Sequence, residues 1–296
     1  MKELVILSGK GGTGKTTVAA SFAHLAESKV MVDADVDAAN LELVLSPQMK
    51  EKHEFRGSKL AIIEPARCSA CGRCAEVCRF QAVQEVDEEY LIDPIACEGC
   101  AVCYYECPSQ AMRLEEPVSG HWFISDTPHG PLVHAQLRPA QKNSGKLVNL
   151  VKQKARQLAL AHEYDLIIVD GPPGIGCPVI ATTAGADLAL LITEPTVAGV
   201  HDLERILSTT AHFGVQALVS INKYDLNPDM SRIIIEDCAV RGLPLIESIP
   251  FDKAVTEAMV QGTTVVSYSR GPASQAIARL WMETKRFLDT EKGNGG

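Results

Sequence analysis

The stretch LVILSGKGGTGKTTVAASFA, Leu4 to Ala23, constrains the fold more than any other part of the chain. A strand-length apolar run, Leu4–Leu7, enters a glycine-rich loop from Gly9 to Gly14. A helical pattern follows from Lys15 to about Glu27. The loop fits Gly-x4-Gly-Lys-Thr and has the strand and helix that this pattern needs on its two sides. Gly9, Gly11, Gly12 and Gly14 let the loop's backbone N–H groups, that of Thr13 included, converge on phosphate oxygens. The helix N-terminus behind them adds partial positive charge. Lys15 is expected to reach the β and γ phosphates and the Thr16 hydroxyl to ligate Mg²⁺, with Thr17 completing the binding stretch.

Further apolar runs predict a layered α/β fold. KVMVD (Lys29–Asp33) reads as a second strand, and YDLIIVD, ADLALLIT, VQALVSIN and PLIESIP as four more. Helical patterns separate them, as in SGKLVNLVKQKARQLA, where Leu147, Val148, Val151, Ala155 and Leu158 share a face. Continuous apolar strands alternating with helices indicate a mostly parallel sheet covered on both sides. The 296 residues suffice for one large domain and a small one.

The middle of the chain breaks this rhythm. IEPARCSACGRCAEVCRFQAV and IDPIACEGCAVCYYECPSQAM align at a constant offset of 29 residues. The offset maps Cys68, Cys71, Cys74 and Cys78 onto Cys97, Cys100, Cys103 and Cys107, and Pro65, Gln81 and Ala82 onto Pro94, Gln110 and Ala111. Two such repeats make a pseudo-symmetric unit inserted after the second strand. The expected division is therefore an insert at 58–116 within a discontinuous domain at 1–57 and 117–296. Val118–Asn143 lacks a clear period and reads as a return connection with, at most, short strands.

Ten cysteines in a chain with no apolar run near the roughly 18 residues of a membrane span point to ligation rather than disulfides. The start shows no cleavage-site pattern, and a cytoplasmic protein is expected. Each set reads C-x2-C-x2-C-x3-C, the spacing of bacterial two-cluster ferredoxins. That resemblance implies two 4Fe–4S clusters, one on Cys68, Cys71, Cys74 and Cys107, the other on Cys97, Cys100, Cys103 and Cys78. Zinc is the rival, but its sites pair two C-x2-C knuckles and leave no use for the third spacing. One departure stands out: Arg79, not proline, follows Cys78, whereas Pro108 follows Cys107. Of the net charge of −9, the span Leu60–Glu116 holds −7, with 4 basic and 11 acidic residues. Such a face argues against nucleic-acid binding and suits either plain solvation or a basic protein partner.

GKGGTGKTT resembles the deviant phosphate loop of the MinD/Mrp/nitrogenase-iron-protein superfamily, in which an extra lysine crosses a dimer interface to the partner's nucleotide. Lys10 matches it, which implies a homodimer or a dimer with a related subunit. In that family the first aspartate of DADVD, here Asp33, helps to hold the Mg²⁺ water shell, and the second, Asp35, orients the attacking water. Asp37 has no assigned role. YDLIIVDGPPG ends a strand on Asp170, the usual carboxylate near Mg²⁺, and GPPG makes a turn suited to a switch. Ligands bind at the carboxyl ends of strands in such sheets. An asparagine after a late strand contacts adenine in MinD-like proteins, and Asn222 matches it. Asn222-Lys223-Tyr224-Asp225 also fits the guanine-reading pattern of GTPases; Lys10 favours ATP.

Together the motifs resemble MinD-superfamily ATPases carrying an inserted ferredoxin domain, over nearly the whole chain. The implied fold is α/β with a small α+β ferredoxin-like insert, and the implied cofactors are ATP, Mg²⁺ and two 4Fe–4S clusters. The favoured function couples MgATP state to electron transfer with a redox or metalloprotein partner. A maturation factor for metal clusters is the alternative, weakened by the absence of a late C-x2-C pair. A membrane-positioning ATPase needs a terminal amphipathic helix. The stripe Ile277, Leu280, Trp281 and Leu288 reads better as packing on the sheet, and the tail EKGNGG is polar. A cobyrinic-acid amidating enzyme would need a glutamine-hydrolysing domain for which there is no room. Cys177, seven residues past Asp170, has the spacing of a cluster cysteine in the nitrogenase iron protein. The residue reads either as an interface thiol or as a small buried residue, and Cys238 as core.

Overall fold

A computed structural model describes residues 1–139 and 144–290. The end of the return connection and the polar tail lie outside the described residues. The strands are β1 (Lys2–Ser8), β2 (Lys29–Asp33), β3 (Gln48–Phe55), β4 (Leu60–Ile63), β5 (Val83–Val86), β6 (Glu89–Ile92), β7 (Met112–Glu115), β8 (Gly120–Thr127), β9 (Gly130–Leu137), β10 (Leu166–Pro173), β11 (Leu188–Thr193) and β12 (Gln216–Ile221). The helices are α1 (Lys15–Leu25), α2 (Glu42–Leu45), α3 (Arg73–Glu76), α4 (Val102–Tyr105), α5 (Ser144–Ala161), α6 (Cys177–Thr183), α7 (Val197–His212), α8 (Pro228–Val240), α9 (Lys253–Val260), α10 (Val265–Tyr268) and α11 (Pro272–Thr290). Two compact units result. One is Met1–Lys52, Trp122–Gln136 and the run from Ser144 onward; the other is His53–His121 with the run from Leu137.

The large unit is organised by one eight-stranded sheet in the order β12-β11-β1-β10-β2-β9-β8-β3. The pairs β12/β11, β11/β1, β1/β10, β10/β2 and β2/β9 are parallel. The four central strands are buried almost throughout, as their unbroken apolar runs require. α1 supplies Val18, Ala19, Phe22 and Ala23 to a core that includes Leu4, Ile6, Met31 and Ile168. Burial of each large apolar side chain there contributes about 1.5–3 kcal/mol. The stripe of α11 joins the same core: Ile277, Leu280, Trp281 and Leu288 are buried, and Trp281 packs on Phe22 at 5.0 Å between ring centroids. Cys238 is fully buried on α8.

Two expectations change. PLIESIP forms no strand; only single bridges, Val219 to Leu245 and Asn222 to Ile249, tie it to β12. Its two prolines, Pro244 and Pro250, lack the N–H that a ladder needs. The return connection is instead a β-hairpin, β8 and β9, that extends the main sheet, with β3 beyond it. Polar alternation such as QMKEKHEF in β3, exposed over seven of eight residues, does not announce a strand.

Lys152, on the apolar face of α5, donates to the carbonyls of Ala181 (3.2 Å), Thr182 and Ala184 (2.9 Å) and pairs with Glu3 Oε1 at 2.8 Å. It thereby closes the C-terminal end of α6, whose carbonyls have no helical partner. His134 on β9 lies 3.0 Å from Ser125 Oγ and stacks on Phe123. Burial pushes its imidazole down to about 4 from 6.5. The unfolded chain therefore takes the proton first. The stability from the neutral ring is complete above about pH 6.5 and is lost as pH falls toward 4. Between pH 7 and pH 4.5 the wild type should lose about 2–3 kcal/mol more than His134→Gln in urea unfolding, from 1.36 kcal/mol per unit. Equal losses would show that the ring titrates normally.

The small unit carries the 29-residue repeat in its backbone. β4, α3 and β5 of the first repeat recur at that offset as β6, α4 and β7. The repeats exchange strands, β4 pairing antiparallel with β7 and β5 with β6. Left-handed backbone recurs at Ala70 and Gly99, at Gly72 and Ala101, and at Gln81 and Gln110. Alanine and glutamine rarely adopt positive φ, so this geometry is a constraint built into both loops.

Candidate functional site

The phosphate loop sits between β1 and α1, where strand order reverses beside β1. Gly14 has φ +93°, and a Cβ there would overlap Asn222 Nδ2. A Cβ at Gly9 would overlap Asp202 on α7, so the loop is packed from both flanks. Gly11 and Gly12 face open space. Lys15 is buried at the first position of α1, while Lys10 is partly exposed.

The parallel register places Asp33 opposite Asp170, and Ala34 N donates to Asp170 O at 2.9 Å. Both carboxylates are 1% exposed. Asp33 accepts from the backbone N–H of Asp35 (3.1 Å), Asn40 (3.0 Å) and Leu41 (3.0 Å), which folds the loop after β2 around it. Burial, and then the charge of Asp170, push Asp33 well above the carboxylate range. Burial pushes Asp170 up to about 6, against the nearby charge of Lys15 and a hydrogen bond from Thr16. Asp35 is raised by burial and held back by Lys15. Lys15 acts on Asp170 but is not among the groups that act on Asp33, and Asp170 Oδ1 and Thr13 Oγ1 are buried with no hydrogen-bond partner. These groups suit a hydrated divalent cation bearing phosphate. Lys15, Thr16, Asp33, Asp35 and Asp170 thus gather at one sheet edge.

A cleft of about 410 Å³ opens from the loop, lined by Gly12, Gly14, Lys15, Thr16 and Thr17. Its far walls are Asn40 and Leu43 after β2, Asn222 and Lys223 after β12, Val255, Thr256 and Met259 on α9, and Thr263–Val265. The residues on α9 were invisible to motif reading; their one signal was a short apolar helix pattern after PLIESIP. Asn222 lines the cleft, but its Nδ2 donates to Thr13 O at 2.8 Å, stitching β12 to the phosphate loop. Asp225 Oδ1 accepts from Phe251 N at 2.7 Å. The carboxylate that would read guanine is spent on the backbone leading to α9. Lys10 Nζ lies 3.3 Å from Glu194 Oε2 and 3.5 Å from Thr196 Oγ1. Asp37 is exposed, and Cys177 is an exposed first residue of α6 rather than a buried one.

In the small unit the eight thiols are not converged into ligand sets: among the described residues no group of three or more His, Cys, Asp or Glu is placed to hold a metal ion. They are nevertheless neighbours. Cys74, Cys78, Cys103 and Cys107 pack together with Val83 and Met112. Burial, and then the charges of Cys97, Cys100, Cys74 and Cys78, push Cys103 up to about 11. Burial and the charges of Cys68 and Cys71 likewise raise Cys74, against opposing backbone hydrogen bonds. Backbone N–H groups point at sulfur in matching places: Ala82 N to Cys78 Sγ and Ala111 N to Cys107 Sγ, each 3.3 Å, and Ala70 N to Cys68 Sγ at 3.4 Å. The thiols thus share crowded surroundings and amide donors suited to a thiolate-bound metal group, without forming a ligand set in this geometry. Cys71 and Cys100 are exposed.

The chain is 33% identical over 289 residues to the uncharacterized protein MJ0578 of Methanocaldococcus jannaschii, covering 97% of each chain. It is 25% identical to the septum site-determining protein MinD of Buchnera aphidicola, covering 92% of this chain and 87% of that one. In fold it is similar to the MinD of Pyrococcus horikoshii solved with Mg-ADP, with a TM-score of 0.60, 19% identity and 99% of both chains covered. Residues 4–265 match the model of the CobQ/CobB/MinD/ParA nucleotide-binding domain. With the phosphate loop, the paired aspartates and the parallel sheet, this match shows that the chain belongs to the CobQ/CobB/MinD/ParA nucleotide-binding domain family.

Proposed function

We propose that the chain is an ATPase of the MinD type, switched by MgATP between monomer and dimer, whose cysteine unit holds two 4Fe–4S clusters. The carrying observation is the meeting of Lys15, Thr16, Asp33, Asp35 and Asp170 at one sheet edge, with Asp170 Oδ1 buried and unpartnered. The loop amides and Lys15 hold the β and γ phosphates. Thr16, Asp33 and Asp170 would hold Mg²⁺, which would neutralise phosphate charge. Asp35 orients the water that attacks the γ-phosphorus, and Lys10 reaches the partner's nucleotide. β10 carries Asp170 directly into Gly171–Gly176, so a change at the γ-phosphate moves that turn and the start of α6, whose far end Lys152 anchors.

The cysteine reading rests on the repeated backbone, the shared packing of four thiols and the amides aimed at sulfur. Clusters held there supply one-electron transfer. Cys68, Cys71, Cys74 and Cys107 would hold one and Cys97, Cys100, Cys103 and Cys78 the other, serving a redox partner in the cytoplasm. Anaerobic protein should show MgATP-dependent dimerisation in light scattering and a cluster EPR signal that changes with nucleotide. Clusters that leave for an apo-acceptor would instead favour a maturation role.

Similarity to MinD favours a second reading, an ATPase that positions other proteins. The stripe of α11 is consumed in the core, and among the described residues no helix is long and apolar enough to cross a membrane. ATP-dependent sedimentation with anionic vesicles, and no iron, would support it.

Adenine is the expected base, because Asp225 is occupied by Phe251 N. Asp225→Ala should leave the ATP-to-GTP preference in competition binding unchanged. Loss of that exposed hydrogen bond, about 0.5–1.5 kcal/mol, should lower Tm by a few degrees. A preference that moved tenfold toward other bases would show that Asp225 reads the base.

A further inference from the structure

The carboxylate paired with Lys10 has no role in the proposed hydrolysis. Glu194 follows β11 directly, in LLITEPT, and its side chain is 14% exposed. Its two oxygens face two lysines: Oε2 is 3.3 Å from Lys10 Nζ, and Oε1 is 2.6 Å from Lys223 Nζ. We propose that Glu194 is a positioning residue that holds Lys10 on its own chain until nucleotide phosphate and a second copy of the chain draw it away. This rests on the reading that Lys10 acts across a dimer.

The carboxylate is presented from a stiff turn. Thr193 Oγ1 donates to Gly199 O at 3.1 Å, Thr196 N to Glu194 O at 2.8 Å, and Gly199 N to Thr196 Oγ1 at 3.0 Å. A Cβ at Gly199 would overlap the Glu194 carbonyl oxygen, so the turn closes only with glycine there. On the other side, Ser8 Oγ donates to Lys10 O at 2.6 Å and steadies the loop. Lys10 is thus held between two fixed backbones.

Charge explains why a holder is needed. Lys10, Lys15, Lys223 and the N-terminus of α1 place like charge around one loop, as phosphate binding requires. Without phosphate, Lys10 is repelled by its neighbours, and Glu194 offsets that. A triphosphate competes for the same ammonium group with several negative charges. Because Glu194 keeps Lys223 on its other oxygen, release of Lys10 does not strand a partly buried carboxylate. The pair is partly exposed and weak enough to exchange reversibly.

Two measurements on the full chain test this. In nucleotide-free protein, the acetylation rate of Lys10, followed by mass spectrometry, should rise about 2- to 5-fold in Glu194→Gln, the range a weak ion pair commands. It should stay slow in Lys223→Met, which removes only the other partner. An unchanged rate in Glu194→Gln, or an equal rise in Lys223→Met, overturns the hold. In light scattering with a non-hydrolysable ATP analogue, Glu194→Gln should lower the half-maximal analogue concentration about 2- to 5-fold, and the shift should vanish in a Lys10→Ala background. A shift that persists there overturns the proposal. A wild type that never dimerises with analogue overturns the dimer reading and with it the release, while the labelling still decides whether Glu194 holds Lys10.

Discussion

Lys10→Ala is expected to bind MgATP within a few-fold of wild type and to hydrolyse it about 10²–10³-fold more slowly, the usual loss when one charge-stabilising donor is removed. That range corresponds to about 3–4 kcal/mol at 1.36 kcal/mol per tenfold. The split follows from placement. Lys15 is 6% exposed at the base of the loop, where it lowers Asp170 and Asp35. Lys10 points away to Glu194 and contributes nothing to the cleft lining. Lys15→Ala should therefore lose binding itself. Titration calorimetry for binding and phosphate release for turnover separate the two. If Lys10→Ala lost binding as Lys15→Ala does, Lys10 would serve its own chain's nucleotide and the dimer reading would fall.

Cys103→Ser should halve the iron of anaerobically prepared protein, from about eight to about four atoms per chain, since each 4Fe–4S cluster needs four thiolates. Cys103 is the informative choice because burial and four neighbouring thiolates hold its proton on up to about 11. A thiol so placed ionises at neutral pH only beside strong positive charge, which iron supplies. Cys177→Ser, on an exposed thiol in the other unit, should leave iron content unchanged. Wild-type protein with two zinc ions and no acid-labile sulfide would reject the cluster assignment and leave the repeat a zinc-binding or purely structural unit. The iron count is independent of ATP hydrolysis, so either half of the proposed function can fail alone.

The legible parts of the chain are those whose physics is local. The phosphate loop declares itself because glycines, a lysine and a threonine must sit at fixed spacing between strand and helix. The repeat declares itself because both copies obey one backbone, down to left-handed residues at matching positions. The central strands were readable because burial on both faces leaves no polar alternation to confuse them. Three features were not readable in this way. β3 joins the sheet through backbone pairing while exposing charged side chains. PLIESIP looks like a buried strand, yet prolines at its ends leave it only single bridges. Lys152 occupies a core-facing position that periodicity assigns to an apolar residue, and the carbonyls at the end of α6 together with Glu3 justify it.

Sequence alone determined the phosphate chemistry, the α/β layering and the cysteine repeat, since each depends on residues within about thirty positions of one another. Tertiary structure decided how two of the site's carboxylates meet, Asp33 opposite Asp170 in the β2/β10 register. It also decided that α9 closes the cleft, that Asp225 turns to backbone rather than base, and that Lys10 rests on Glu194. Those outcomes depend on strand order and on side chains up to 209 positions apart, as with Asn222 and Thr13. No spacing rule encodes such pairs, because folding, not chain distance, brings them together.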